Sequence, residues 1–137
     1  MDLALIWLHV SGNVVWIGSI LAVAVVLVGG KGEVRARGEI ASDIYRRLAV
    51  PSFIVAFLCG AIRLGLDLSY YLKLHHWMHA KLPLALAVIA LHHVIGARAR
   101  KMANGAVQDA GSAGILGVVL AAAAIGAVFF AIFKIPA

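Results

Sequence analysis

The stretch MHAKLPLALAVIALHHVIGAR, at residues 78–98, decides the fold of this chain. It holds one lysine near its start, followed by a long run of aliphatic residues, and its length matches the ~20 residues that a helix needs to cross a bilayer. Three more apolar stretches of similar length occupy residues 4–28, 48–66 and 113–133. We therefore predict one domain, residues 1–137, that is all-α and forms an integral membrane four-helix bundle.

Composition excludes an ordinary soluble domain. Hydrophobic residues make up 64% of the 137 positions and the mean hydropathy is +1.01, whereas soluble domains are roughly 45–50% apolar. The net charge of +6 is divided between two short connections and interleaved with acidic residues. This pattern indicates membrane topology and no nucleic-acid partner. The single cysteine, Cys59, cannot form an intramolecular disulfide and is predicted to be a buried thiol.

The positions of the basic residues predict the orientation in the membrane. The second connection offers mainly Lys73, whereas most cations lie in the first and third connections. These cations are Lys31, Arg35, Arg37, Arg46, Arg47, Arg98, Arg100 and Lys101. The positive-inside rule then places both termini outside. Between the first and second helices, residues 33–47 are predicted to form a short amphipathic cytoplasmic segment.

The fourth apolar stretch is poor in large side chains. Gly114, Gly117 and the four alanines at 121–124 are spaced so that small residues recur along the helix. Small residues let helices approach closely in lipid. We predict close packing of this helix, within the monomer or between copies, and a homo-oligomer in the lipid bilayer.

Polar side chains form a stripe on each of two apolar helices. His9, Asn13 and Trp16 follow i, i+4, i+7 spacing in the first helix, and Trp77, Lys81 and His92 share a face of the third. A charged side chain in hydrocarbon costs roughly 2.5–3.5 kcal/mol by insertion scales. Lys81 is therefore expected to have a partner or a functional role, unless its ammonium extends to the outer interface.

Depth separates the polar residues into two levels. With Trp16 and Val88 taken as helix centres, a rise of 1.5 Å per residue places His9 and Lys81 about 10 Å towards the outside. His92 lies about 6 Å towards the cytoplasm, so His9 and His92 are separated by roughly 16 Å along the membrane normal. One iron cannot readily bind both, because metal–imidazole bonds are only ~2 Å long.

The outer level is the preferred candidate site. Arg63 lies near the outer end of the second helix and either pairs with Asp67 or, with Lys81, binds the propionates of a tetrapyrrole. His9 and His79 are the first candidates for metal ligands, and His92 and His93 are the alternatives. The candidate cofactor-binding residues are His9, Asn13, Trp16, Arg63, His79 and His92.

Other interpretations of these residues remain open. Trp77 suits an aromatic belt at the membrane interface, and His9 suits a structural hydrogen bond. His75, His76 and Met78, together with His79, form a possible copper-binding group, because imidazole and thioether ligands suit copper.

The residues WMHAKL at 77–82, followed by LHH at 91–93, resemble the HemJ-type membrane protoporphyrinogen IX oxidases, which are related to CopD-like domains. His9 with Trp16, and Pro51 with Gly60, support the same resemblance, which covers about the first three-quarters of the chain. It implies oxidation of protoporphyrinogen IX to protoporphyrin IX, with haem b as cofactor, quinone as electron acceptor and the bacterial inner membrane as location. By the same resemblance His9 is a haem ligand, and Lys81 and Trp77 are catalytic.

Two segments differ from that family. Residues 17–30 are aliphatic and end in glycine where the family has an aromatic-rich segment, and Gln108–Asp109 stand in place of an Asn-Glu-containing motif. A haem-binding or electron-transfer protein without oxidase activity is therefore the main alternative. A CopD-like copper-binding or copper-transfer protein is the further one.

Overall fold

The computed structural model of the protein describes residues 2–74 and 76–135, and within these residues the regular structure is entirely helical. The α-helices are α1 (Asp2–Val28), α2 (Val34–Ile44), α3 (Val50–Leu66), α4 (Trp77–Ala103) and α5 (Ala113–Phe133). Two five-residue segments with the wider π-helical turn, Tyr45–Ala49 and Tyr70–Leu74, precede α3 and α4. The predicted all-α class is confirmed.

Four helical runs are long and apolar enough to cross a membrane. They are α1, the continuous run Val34–Leu66, α4 and α5. Three of them agree closely with the apolar stretches of the sequence, since α5 has the predicted limits and α1 ends at the predicted residue. The third stretch continues beyond residue 98 to Ala103, so α4 is longer than predicted.

The second helix differs from the prediction. The predicted short segment is present as the helix α2, but α2 passes through Tyr45–Ala49 into α3, so the helical run begins at Val34. Pro51 has no N–H to donate to the carbonyl oxygen of Arg47, and the turn widens just before it. The Ser52 hydroxyl donates to the Leu48 carbonyl oxygen at 2.5 Å. The chain therefore accommodates the proline without ending the helix.

The close approach of α2 to the end of α4 depends on Gly38. A Cβ atom at this position would lie 2.4 Å from the backbone nitrogen of Ala103 and 2.6 Å from the carbonyl carbon of Met102. Backbone atoms cannot rotate away as a flexible side chain can. The first connection is thus packed against α4, with Ala41 and Ser42 also buried on this face.

Replacing Gly38 with alanine is expected to destabilise the protein by about 1–3 kcal/mol, the usual cost of overpacking. The added methyl group would force α2 away from α4. Thermal unfolding in detergent measures the effect, with Gly18→Ala as the control. Gly18 also lies inside a helix, but a Cβ there meets nothing within 4 Å. Equal unfolding temperatures for the two variants would contradict this account of the packing.

The hydrophobic core occupies one half of the bundle. We call the end that holds the 104–112 connection the basic end, and the opposite end, where α1 begins and α5 finishes, the termini end. The core residues of α1 run from Trp16 to Leu27, and those of α4 run from Val88 to Met102. At the termini end α3 packs chiefly on α1, while α4 packs chiefly on α5, so α3 and α4 make few direct contacts. The buried core therefore lies towards the basic end, and α3 and α4 contact each other little.

The small residues of α5 pack within the monomer. A Cβ on Gly117 would lie 2.9 Å from the Ala24 side chain, and one on Gly114 would lie 3.0 Å from Val28. Gly126 is similarly close to Leu84 of α4. The glycines therefore bring α5 close to α1 and α4. Of the two kinds of close packing predicted for this helix, this is the one within the monomer.

Candidate functional site

His9 lies on α1 where this helix meets α3. Its Nδ1 is 2.7 Å from the carbonyl oxygen of Ala56, which can only accept, so Nδ1 carries the proton. The lone pair is then on Nε2, which lies 3.2 Å from the Asn13 amide nitrogen. The same amide donates to the His9 carbonyl oxygen at 2.7 Å. The ring is thus held in one orientation and one tautomer.

Glycines on α1 and α3 make room for this ring. A Cβ on Gly60 would lie 2.7 Å from His9 Cε1 and 2.9 Å from Nδ1. On the other helix, a Cβ on Gly12 would meet the backbone of Ala56 at 3.0 Å. The two helices therefore approach closely, and the space beside Gly60 is filled by the imidazole.

Two cations from different helices act on His9. Both the Lys81 ammonium and the Arg63 guanidinium are close enough to exert a Coulombic effect on the imidazole. Arg63 belongs to α3 and Lys81 belongs to α4. His9 on α1 is thus influenced by one cation from α3 and one from α4.

Aromatic side chains surround the two cations. The Arg63 guanidinium donates to the Tyr71 hydroxyl at 2.7 Å. The Tyr71 and Trp77 rings meet edge to face at 6.2 Å, and Lys81 Nζ lies 5.7 Å from the Trp77 ring centroid. We call His9, Arg63, Tyr71, Trp77 and Lys81 the termini-end cluster. The sequence did not identify Tyr71, whose only signal is its position beside Tyr70 in an aromatic pair.

Trp77 is not an exposed belt residue. Its side chain is only 6% exposed, and its indole N–H has no hydrogen-bond partner among the described residues. Lys81 likewise forms no ion pair with a carboxylate in the part of the chain that the structure describes. A buried donor and a half-buried cation without a carboxylate partner thus lie side by side in the termini-end cluster.

The predicted partners of His9 among the other histidines have different surroundings. His79 is exposed, and its Nε2 lies 2.9 Å from the carbonyl oxygen of Leu72. His76 is also exposed and contacts the His79 ring, whereas Met78 is buried. His75 lies outside the described residues. This arrangement separates the thioether from the exposed imidazoles of the predicted copper group.

Trp16 and His92 meet in a second cluster, away from His9. The Trp16 indole donates to His92 Nδ1 at 3.0 Å in the buried core. Tyr45 and Phe53 pack on the His92 ring with centroids at 4.9 and 5.2 Å, and His93 lies 4.9 Å away. We call these five residues the mid-bundle aromatic cluster.

The geometry of His92 suits a core hydrogen bond better than metal ligation. Because Nδ1 accepts from Trp16, the proton of the neutral ring is on Nε2. A metal on Nε2 would move that proton to Nδ1, where it would face the indole N–H. His92 is fully buried, and its Nε2 has no hydrogen-bond partner among the described residues. His9 has the opposite tautomer, with its lone pair on Nε2, where it accepts from the Asn13 amide.

The fold and the two clusters define a helical protein with four helices able to span a membrane and a polar site at one end. Comparison with protein-family models, curated proteins and solved structures finds no match to this chain. Among the described residues, no three His, Cys, Asp or Glu side chains form a group that could hold a metal ion. The clearest candidate site is therefore the termini-end cluster, where imidazole, guanidinium and ammonium groups converge.

Proposed function

We propose that the protein binds a dianionic tetrapyrrole in the space between α3 and α4, with haem b as its cofactor, and that it acts as a protoporphyrinogen IX oxidase in the membrane. The observation that carries this proposal is the convergence of His9 with the charges of Lys81 and Arg63. A tetrapyrrole with two propionates presents one central ligand position and two carboxylates. The site offers one imidazole and two cations.

The tautomer of His9 fits iron ligation. In proteins, a histidine that binds a metal commonly donates its other ring N–H to a carbonyl or carboxylate group. His9 makes this bond through Nδ1 to the Ala56 carbonyl oxygen. Its Nε2 would bind the iron of haem after the 3.2 Å contact with Asn13 is released. The imidazole would need no change of tautomer.

The two cations fit the propionates. Arg63 presents a planar guanidinium that suits bidentate carboxylate binding, and Lys81 presents a compact ammonium. Tyr71 orients the guanidinium and Trp77 lies beside the ammonium. In a weakly polar environment, charge-assisted hydrogen bonds to these groups would be stronger than at an exposed surface.

The proposed reaction removes six electrons and six protons from each protoporphyrinogen IX and transfers them to three quinone molecules, which are reduced to three quinols. Bound haem b supplies one-electron redox chemistry. His9 would hold the haem through its iron, and Arg63 and Lys81 would hold propionate groups, with Trp77 beside Lys81. We assign Lys81 and Trp77 to catalysis, with the ammonium holding a propionate close to the reacting ring.

A second function follows from His9 alone. Iron ligation needs only the His9 tautomer and the space between the helices, so the same geometry serves a haem protein that transfers electrons without oxidising porphyrinogen. Turnover of protoporphyrinogen IX separates the two functions. The copper function has less support, because Met78 is buried while His76 and His79 are exposed.

The first experiment is an absorption spectrum of detergent-purified protein expressed with adequate haem, before and after dithionite reduction. The proposal predicts a Soret band and sharpened bands in the reduced sample. A colourless preparation that also fails to bind added haem would overturn both haem functions. Metal analysis for copper would then take priority.

Replacing Gly60 with alanine is expected to weaken haem binding about tenfold, within the range found when the support of a ligand is disturbed. The new methyl group would displace the His9 ring from the Ala56 carbonyl oxygen. Haem titration followed at the Soret band measures the affinity. Gly65→Ala is the matched control, since Gly65 is also on α3 and a Cβ there meets nothing within 4 Å. Equal affinities for the two variants would show that the position of the His9 ring is unimportant.

A further inference from the structure

A cavity of about 490 Å³ lies at the basic end, between α2 and the end of α4. We call it the basic-end cavity. Seven of its lining residues are polar or charged: Arg35, Glu39, Ser42, Asp43, Arg46, Arg100 and Asn104. It is separate from the termini-end cluster, because it lies beside the last turn of α4 whereas Lys81 lies in the second. The cavity is therefore independent of the proposed tetrapyrrole site.

The charges around this cavity leave one cation in excess. Arg35 pairs with Glu39 at 3.1 Å, and Arg46 pairs with Asp43 at 3.0 Å. Arg100 is positioned differently, with its guanidinium 5.4 Å from the Tyr45 ring centroid. Among the described residues, no carboxylate forms an ion pair with Arg100. The cavity is thus lined by two ion pairs and by the Arg100 guanidinium, which has no carboxylate partner among the described residues.

Neutral hydrogen-bonding groups complete the lining. Ser42 is only 5% exposed and borders the cavity. Asn104, which also borders the cavity, ends α4. A phosphate oxygen accepts bonds from guanidinium, hydroxyl and amide groups alike. The lining therefore matches a phosphate group in both charge and hydrogen bonding.

The position of the cavity places it at the membrane surface. With 27 residues, α4 is about 40 Å long at 1.5 Å per residue, whereas the hydrocarbon core is about 30 Å thick. Because Arg100 and Lys101 lie in its last turn, we assign the excess length to that end of α4, in the headgroup region. Basic pockets between membrane helices at this depth bind anionic lipid headgroups. We propose that the basic-end cavity binds the phosphate of an anionic phospholipid, with Arg100 as its principal contact.

The test uses the full-length protein in detergent and measures its unfolding temperature with added lipid. Phosphatidylglycerol is expected to raise the Tm by about 4 °C or more when it is well above its Kd. Phosphatidylcholine with the same acyl chains is expected to have less than half this effect, because it has no net negative charge. Inorganic phosphate at the same concentration shows whether the cavity binds free phosphate as well as a lipid headgroup. A Tm shift with phosphatidylglycerol alone supports a lipid site. A Tm shift with both phosphatidylglycerol and inorganic phosphate shows that the phosphate group itself is recognised.

Arg100→Gln is expected to lose more than half of the phosphatidylglycerol shift. Arg47→Gln is the matched control, since Arg47 has the same charge, lies beside Arg46 and does not line the cavity. If Arg100→Gln does not fold, Arg46→Gln provides a second variant, which leaves Asp43 unpaired beside the ligand. A full shift in the cavity variants, or an equal shift with phosphatidylcholine, would overturn the proposal.

Discussion

Replacing His9 with alanine is expected to weaken haem binding at least about 100-fold, because disturbing even the supporting partners of a metal ligand costs 10–100-fold. The substitution removes the imidazole whose Nε2 carries the lone pair and whose Nδ1 donates to the Ala56 carbonyl oxygen. Purified His9→Ala protein, expressed with haem, is then expected to lack the Soret band of the wild type.

The control for this variant is His76→Ala. His76 is an exposed histidine at the same end of the bundle and is outside the termini-end cluster. It is expected to retain the full Soret band. A His9→Ala protein with the wild-type spectrum would show that another residue binds the iron, and would remove His9 from the site.

Replacing Lys81 with methionine is expected to lower the rate of protoporphyrinogen oxidation per bound haem by about 10–100-fold, since one charge-assisted hydrogen bond contributes about 1.5–3 kcal/mol. Methionine has a similar length and no charge, so it leaves the propionate without its ammonium. The fold is expected to remain intact, because a neutral side chain avoids the roughly 2.5–3.5 kcal/mol cost of a charge in the membrane.

The rate is measured anaerobically with a soluble quinone analogue as electron acceptor, and the haem content of each sample is determined first. Lys73→Met is the control, since Lys73 is an exposed lysine in the segment Tyr70–Leu74. It is expected to turn over at the wild-type rate. Wild-type turnover in Lys81→Met would refute its catalytic role. A haem-loaded wild-type protein without turnover would favour the electron-transfer function.

The apolar helices could be predicted because they depend on simple geometry. Four hydrophobic stretches of membrane-spanning length leave little choice of fold, and a constant rise of 1.5 Å per residue places His9 and Lys81 at the same depth. The structure brings both residues near Arg63, as expected. It also places His9 and His92 in different clusters, in agreement with their predicted separation.

The partner of Trp16 could not be predicted in the same way. His9 and Trp16 share one face of α1, but α1 lies between its neighbours, so the imidazole bonds to α3 whereas the indole reaches α4. Which neighbour a side chain reaches depends on helix rotation and on side-chain length, and neither follows from spacing alone. The sequence therefore joined into one stripe two residues that belong to two clusters.

The start of the second helix was also beyond reach of the sequence pattern. The hydropathy changes near residue 48, yet helix formation in residues 34–47 is supported by packing of Gly38, Ala41 and Ser42 on α4. This contact joins residues more than 60 positions apart, and a local pattern cannot show it. The same contact forms the basic-end cavity. In the sequence, its arginines indicated only the orientation of the helices in the membrane.

The most direct test of the termini-end cluster compares haem with its dimethyl ester, which has the same iron and ring but no propionate charge. Titration of apoprotein in detergent gives both affinities for the wild type and for Lys81→Met. We predict that the wild type binds haem at least about tenfold more tightly than the ester, since one charge-assisted hydrogen bond contributes about 1.5–3 kcal/mol, and that Lys81→Met reduces this preference. Equal wild-type affinities for haem and ester would contradict the assignment of Arg63 and Lys81 to the propionates.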